Sequence, residues 1–189
     1  ASSGNPVLML CGIGGGVGAA LLGYQKFAHV KKRVAIWLDP WSDYDNAGYQ
    51  LIQSLMAIAS GGVLGVGLGL GSPTTIPVYH TDFIFSAIGE ELGMLGCLAV
   101  LLLLAAIIVR CLMVARKARN TTESYVCVGV AAVLIFQTIS NVGMCLFVLP
   151  VIGLTLPFFS YGGSSIVTLF AAMGMVSSVQ SHSLPDWLR

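Results

Sequence analysis

The sequence predicts an all-α, polytopic transmembrane helical bundle. Hydrophobic residues fill 56% of the 189 positions, charged residues only 9%, and the mean hydropathy is +0.88. A soluble globular domain carries about 25% charged residues, so this chain lacks the charge to cover a water-facing surface. The net charge of +1 creates no field that would gather nucleic acid, and the basic residues sit beside apolar runs, as membrane flanks do.

Four spans are expected. The uncharged run from Val7 to Gly23 has the length of a hydrocarbon crossing, although six glycines weaken it as a helix. Phe83 to Val109 is long and apolar and ends at Arg110, Arg116, Lys117 and Arg119, which marks that end as cytoplasmic. Tyr125 to Leu149 then returns outward and Ser164 to Val179 goes back in, so both termini of the chain are expected on the cytoplasmic side. Residues 1–189 thus read as one membrane domain with two outside loops, roughly 24–82 and 148–163. The opening run lacks the basic leader and cleavage site of a signal peptide, and the chain reads as a piece of a longer protein.

The larger loop is not uniformly polar. Leu51, Leu55, Met56 and Ile58 recur at the spacing of an amphipathic helix lying in the interface or re-entering the bilayer, and the glycines from Gly61 to Gly71 follow as a flexible or closely packed turn. An ordinary fifth span here would place the Arg110 to Arg119 cluster outside, against the charge rule. The five cysteines form no C-x-x-C pair and have no histidine at metal spacing, so they read as small apolar residues.

Charges within or beside spans are costly and therefore candidates for function. Asp82 falls where the larger loop becomes a span, with Glu90 and Glu91 about two turns, or ~12 Å, further along. The plain structural reading makes Asp82 a helix N-cap, and Glu90 and Glu91 buried structural groups paired with basic residues. Gly89, Gly93 and Gly96 on the same helix suit close packing against a neighbour. His80 has no second ligand at metal spacing and reads as a hydrogen-bonding loop residue; no metal site is expected among the side chains. In the second loop, Pro150 and Pro157 interrupt helix, and Tyr161-Gly162-Gly163-Ser164-Ser165 gives a turn followed by a hydroxyl-capped helix. Its hydroxyls and N–H groups suit either an ordered cap or a wall that binds a sugar or pyrophosphate.

Three stretches, DPWSDYDNAGYQLIQS, HTDFIFSAIGEELG and NVGMCLFVLPVIGLTLPFFSYGGSS, resemble successive signature blocks of the SEDS (FtsW/RodA/SpoVE) family, and the resemblance runs from about His29 to Ser178. It implies a bacterial cell-membrane enzyme that polymerises lipid II into glycan strands during division, elongation or sporulation, in complex with a class B penicillin-binding protein. The family's essential acid falls on Asp82, as the group that takes a proton from the acceptor hydroxyl while undecaprenyl diphosphate leaves. Substrate contacts are expected from Lys31, Lys32, Arg33, His80, Thr81, Tyr161, Ser164 and Ser165, with a divalent cation, magnesium or manganese, as a further source of positive charge. Contact with anionic membrane lipids is the plain alternative for Lys31, Lys32 and Arg33.

The chain departs from the family at Val78, where many members carry a glutamate after the proline, and it holds only the last four of the family's roughly ten spans. Two functional alternatives accompany the resemblance: a lipid II flippase, which also needs intramembrane acids and broken helices, and a non-catalytic division scaffold. A third, soluble dinucleotide binding through Gly14, Gly16 and Ala19, lacks the βαβ unit and the acid about 20 positions on.

Overall fold

In a computed structural model, residues 6–43, 47–71 and 79–183 are described. They form six helices: α1 (Pro6–Lys26), α2 (Ala28–Leu38), α3 (Ala47–Gly61), α4 (Ile84–Lys117), α5 (Thr121–Cys145) and α6 (Gly163–Ser183), with a 3-10 turn at Pro40–Asp43. All four expected spans are helical, and α4, α5 and α6 are long and apolar enough to cross a membrane. The chain is a multi-pass helical membrane protein.

The larger loop is more structured than its sequence suggests. The stretch carrying Lys31, Lys32 and Arg33, for which no helix is expected from the sequence, is the helix α2, and the expected amphipathic helix is α3. Leu51, Ser54 and Ala57 of α3 are buried towards the bundle, whereas Leu55 and Met56 face outward, so only part of the expected apolar stripe is inward.

The most extensive helix contact joins α4 and α5. Cys111 and Ala115 of α4 meet Cys127, Ala131 and Leu134 of α5 in one buried cluster that also takes Leu169, Val176 and Val179 from α6. Small side chains suit this place: between membrane helices there is no water to exclude, and attraction comes from dispersion at close approach. Three of the five cysteines, Cys111, Cys127 and Cys145, are fully buried, as small apolar residues would be, while Cys11 is exposed.

α4 is one element with a break in it. At 34 residues a continuous helix would measure about 51 Å, well over the roughly 30 Å of a hydrocarbon core. The backbone leaves helical geometry at Gly93 (φ 67°, ψ −165°), a conformation open essentially to glycine alone. Residues 94–117 are still about 36 Å long and can cross unaided, so the turns carrying Glu90 and Glu91 need not lie deep.

Unwinding a membrane helix frees backbone groups that lipid cannot satisfy. The glycine-rich segment after α3 satisfies them. The N–H groups of Met94 and Leu95 donate to the carbonyls of Gly62 and Val63 (2.9 and 3.2 Å), and those of Val66 and Gly67 donate to Glu90 and Glu91 (2.9 and 3.1 Å). The expected close neighbour of Gly93 is therefore this segment and that of Gly89 is α3, through Ile58, whereas Gly96 makes room for Leu92 of its own helix.

A Cβ at position 93 would collide with the backbone of Gly65 and Val63 in addition to straining φ. Gly93→Ala should lower stability by about 3 kcal/mol or more, read as a large fall in the thermal midpoint in detergent. Gly129→Ala, on open space in α5, should leave the midpoint unchanged or slightly raised.

Candidate functional site

The start of α4, the end of α5 and the start of α6 meet at one end of the bundle. There the connection 146–162 folds back between them. Two phenylalanines in it, Phe147 (φ 63°) and Phe158 (φ 66°), adopt left-handed backbone, which costs a non-glycine residue of order 1–3 kcal/mol. Such conformations persist only where surrounding contacts impose them.

Asn141 supplies the central contact. It is fully buried in α5, and its Nδ2 donates to the carbonyls of Asp82 (2.8 Å) and Leu154 (2.7 Å). Both amide hydrogens are thereby used, and the Cys145 thiol turns towards Asn141 Oδ1 (3.9 Å) and the Asp82 carbonyl (3.8 Å). A second buried polar node lies beside it, where Ser54 Oγ meets Ser86 Oγ (2.6 Å) and donates to the Cys145 carbonyl (3.1 Å). These contacts tie α3, α4, α5 and the connection to one another.

Asp82 sits one residue ahead of the α4 cap position. That position is held by Phe83 with no side-chain cap bond, so Asp82 is not spent as an N-cap. Its backbone is fixed by Asn141, yet its half-buried carboxylate forms no hydrogen bond or ion pair with any described residue. The turn at Gly153 (φ 77°) brings backbone beside it: a Cβ built there would lie 3.4 Å from Asp82 Oδ2. Among the described residues, this is an acid held in place by its backbone and left without a side-chain partner.

Several expected site residues gather around it. The Tyr161 N–H donates to the His80 carbonyl (2.8 Å), and the two rings meet edge-on at 6.0 Å, with Tyr161 largely exposed. Thr81 lies half-buried between His80 and Asp82. Ser165 is paired with Thr155 (3.0 Å), and the Ser164 carbonyl accepts from Thr168 Oγ1 (2.8 Å); α6 begins at Gly163, so both serines stand inside its first turn and not at the position before it. Both serines line the mouth of a 490 Å³ groove between α5 and α6 that continues past Leu134 and Leu169 to Val126 and Met175.

The basic cluster divides. Lys31 is exposed, Lys32 pairs with Asp43 (3.2 Å), and Arg33 Nη1 donates to the carbonyls of Val151 (2.9 Å) and Ile152 (3.0 Å). A 440 Å³ cavity opens beside Arg33 between His29 and Pro150. Glu90 and Glu91 belong to the break in α4, where their carbonyls hold the glycine-rich segment and Gly71 packs near their side chains. Val78 and its neighbouring proline lie outside the described residues.

Asn141, Trp37 and Gly153 were not singled out from the sequence. Asn141 carried a readable signal, since an amide in an apolar span needs partners. The other two are defined by backbone they meet far along the chain, such as the Phe147 carbonyl that accepts from Trp37 Nε1 (3.1 Å).

A multi-pass helical membrane bundle with an acid at one end, unpartnered among the described residues, is thus the class of protein that fold and site define. The FtsW/RodA/SpoVE cell cycle protein family matches residues 2–184, and the chain belongs to that family. It is 41% identical over 169 residues to the peptidoglycan glycosyltransferase RodA of Mycobacterium tuberculosis, covering 89% of this chain and 36% of that protein. It is 38% identical over 178 residues to stage V sporulation protein E of Bacillus subtilis, covering 93% and 48%. A solved peptidoglycan synthase complex, described as coordinating polymerization and crosslinking, contains a chain similar at a TM-score of 0.71 and 32% identity, over 92% of this chain and 49% of that one. An aspartate-to-alanine mutant of Thermus thermophilus RodA is similar at a TM-score of 0.55 and 34% identity, covering 71% and 41%. The chain therefore spans between a third and a half of the length of these relatives.

Removing the Asn141 side chain leaves two carbonyls unpaired at about 1–3 kcal/mol each. Asn141→Ala should therefore lower stability by about 2–6 kcal/mol in detergent denaturation. Asn141→Asp, which keeps the shape but replaces the donor with an acceptor, should do at least as much damage, and a wild-type midpoint in both would show that these bonds do not hold the site.

Proposed function

We propose that this chain works as the C-terminal part of a membrane peptidoglycan glycosyltransferase that polymerises lipid II, with Asp82 as its general base. The observation that carries this reading is the Asp82 carboxylate, fixed through its backbone by Asn141 and without a side-chain partner among the described residues. Family membership and the named activity of the RodA relative support it.

Asp82 takes the proton of an acceptor sugar hydroxyl. The freed oxygen attacks the anomeric carbon of the donor, and the bond from that carbon to the undecaprenyl diphosphate oxygen breaks as the diphosphate leaves. His80, Thr81 and Tyr161 flank the acceptor, Ser164 and Ser165 mark where the α5–α6 groove meets the site, and exposed Lys31 attracts the diphosphate. The groove offers apolar surface to a prenyl chain. A class B penicillin-binding protein is the partner that would crosslink the product, in line with the synthase complex named above.

Among the described residues no three His, Cys, Asp or Glu side chains cluster as ligands, so a magnesium or manganese ion, if it takes part, would be held by Asp82 together with the diphosphate of the substrate.

The site is assigned to the extracytoplasmic face of the bacterial cell membrane because Arg110, Arg116, Lys117 and Arg119 flank the opposite end of α4 and the α4–α5 turn. A cysteine placed at the exposed Tyr161 should react with a membrane-impermeant maleimide added to intact cells or spheroplasts, and a cysteine at Arg116 should react only after lysis. The reverse pattern would invert the assignment.

A full-length protein containing this chain, purified with its transpeptidase partner, should lose about 10²- to 10⁴-fold in glycan polymerisation on Asp82→Asn. Undiminished polymerisation would remove Asp82 as the base. If polymer yield stayed intact while movement of labelled lipid II across vesicles stopped, the transport reading would replace this one.

A further inference from the structure

Lys31, Lys32 and Arg33 arrive in the sequence as one basic cluster, but the fold gives Arg33 a separate occupation. Its guanidinium reaches from α2 to two successive carbonyls, those of Val151 and Ile152, at 2.9 and 3.0 Å. One helical turn further along α2, Trp37 donates to the Phe147 carbonyl at 3.1 Å. Residues four apart on a helix share a face, so α2 grips the 146–162 connection at two places with one edge. From the opposite side, Asn141 holds the carbonyl of Leu154.

Gly153 is the residue between these grips. It has φ 77°, and a Cβ placed on it would come within 3.4 Å of Asp82 Oδ2. The backbone that approaches the Asp82 carboxylate is thus clamped at Val151 and Ile152 by Arg33 and at Leu154 by Asn141, which also holds the Asp82 carbonyl. A base must reach its proton within about 3 Å, and a displacement of roughly 1 Å is enough to cost about 10²-fold in rate.

We propose that Arg33 is a positioning residue for Asp82: it acts through the Val151–Gly153 backbone, setting where the carboxylate stands, and it is not a ligand of the leaving diphosphate. Arginine suits this place because its planar fork presents N–H donors in fixed directions, whereas a lysine ammonium is a single mobile point charge. The proposal rests on Asp82 being the proton acceptor, and its test is arranged so that the two ideas fail separately.

The assay is lipid II polymerisation by the full-length protein with its transpeptidase partner, with kcat and KM measured separately. Arg33→Ala should lower kcat by about 10- to 100-fold and leave KM for lipid II within about twofold, because an interaction felt only as the proton moves acts on kcat. Arg33→Lys should remain close to the alanine variant, since charge returns without the fork. Gly153→Ala should reproduce the kcat loss, and the Arg33→Ala, Gly153→Ala double variant should lose much less than the product of the two single effects, because both act through one turn.

A diphosphate ligand would behave otherwise. A KM raised more than about tenfold with kcat intact, recovery of most activity in Arg33→Lys, or fully multiplicative losses in the double variant would each overturn the proposal. If Arg33→Ala does not accumulate in the membrane, Trp37→Phe takes its place: it removes one grip without touching charge, and should lower kcat at constant KM and be sub-additive with Gly153→Ala. Additive behaviour there would be equally fatal. Wild-type polymerisation by Asp82→Asn would instead overturn the assignment of the base, whatever Arg33 does.

Discussion

One buried carboxamide holds the functional end of this protein together. Asn141 comes from the middle of the polar end of α5 and meets two strangers in sequence, the Asp82 carbonyl and the Leu154 carbonyl. Inside a membrane bundle such bonds matter less for their gross strength than for what their absence would leave, namely two carbonyls with no water to turn to. The bonds fix the backbone of Asp82 and, among the described residues, take nothing from its carboxylate. A side chain that tethered Asp82 through the carboxylate would have secured the fold and removed the base proposed above.

The break in α4 follows the same logic. Backbone groups freed by a break in a membrane helix need partners wherever water cannot reach them. Here the segment 62–67 meets residues 90–95 through four hydrogen bonds, and Gly93 permits the turn. The acidic pair Glu90 and Glu91 is carried at this joint, so their position is set by the main chain before any side-chain pairing acts. Above the joint, the first turns of α4 belong with α3 and the site; below it, the helix is an ordinary span.

Spans and acid were legible in the sequence for a common reason: both depend on local composition. A run without charges declares its own environment, and an aspartate at the edge of such a run stands out. α2 was hidden because Lys31, Lys32 and Arg33 resemble a loop or a lipid contact when read along the chain, whereas their meaning comes from residues 43 and 151–152. The amphipathic reading of α3 was half right. Leu51 faces the bundle, but Leu55 and Met56 do not, since the buried face is built around Ser54, whose hydroxyl bonds to Ser86 and the Cys145 carbonyl, and a polar residue turned inward shifts the stripe away from the one apolar spacing suggests. The hydroxyls of Ser164 and Ser165 were expected to cap α6, and only coordinates reveal that Thr155 takes one of them.

The contacts of α2 with the connection are made to main-chain oxygens, at Phe147, Val151 and Ile152. Carbonyls are the same whatever side chain sits beside them. The grip makes no demand on the side chain at 152, which is exposed, whereas Val151 also packs against the bundle core. The stretch nearest the acid therefore joins a main chain held by Arg33 and Asn141 to an outward residue that takes no part in holding it.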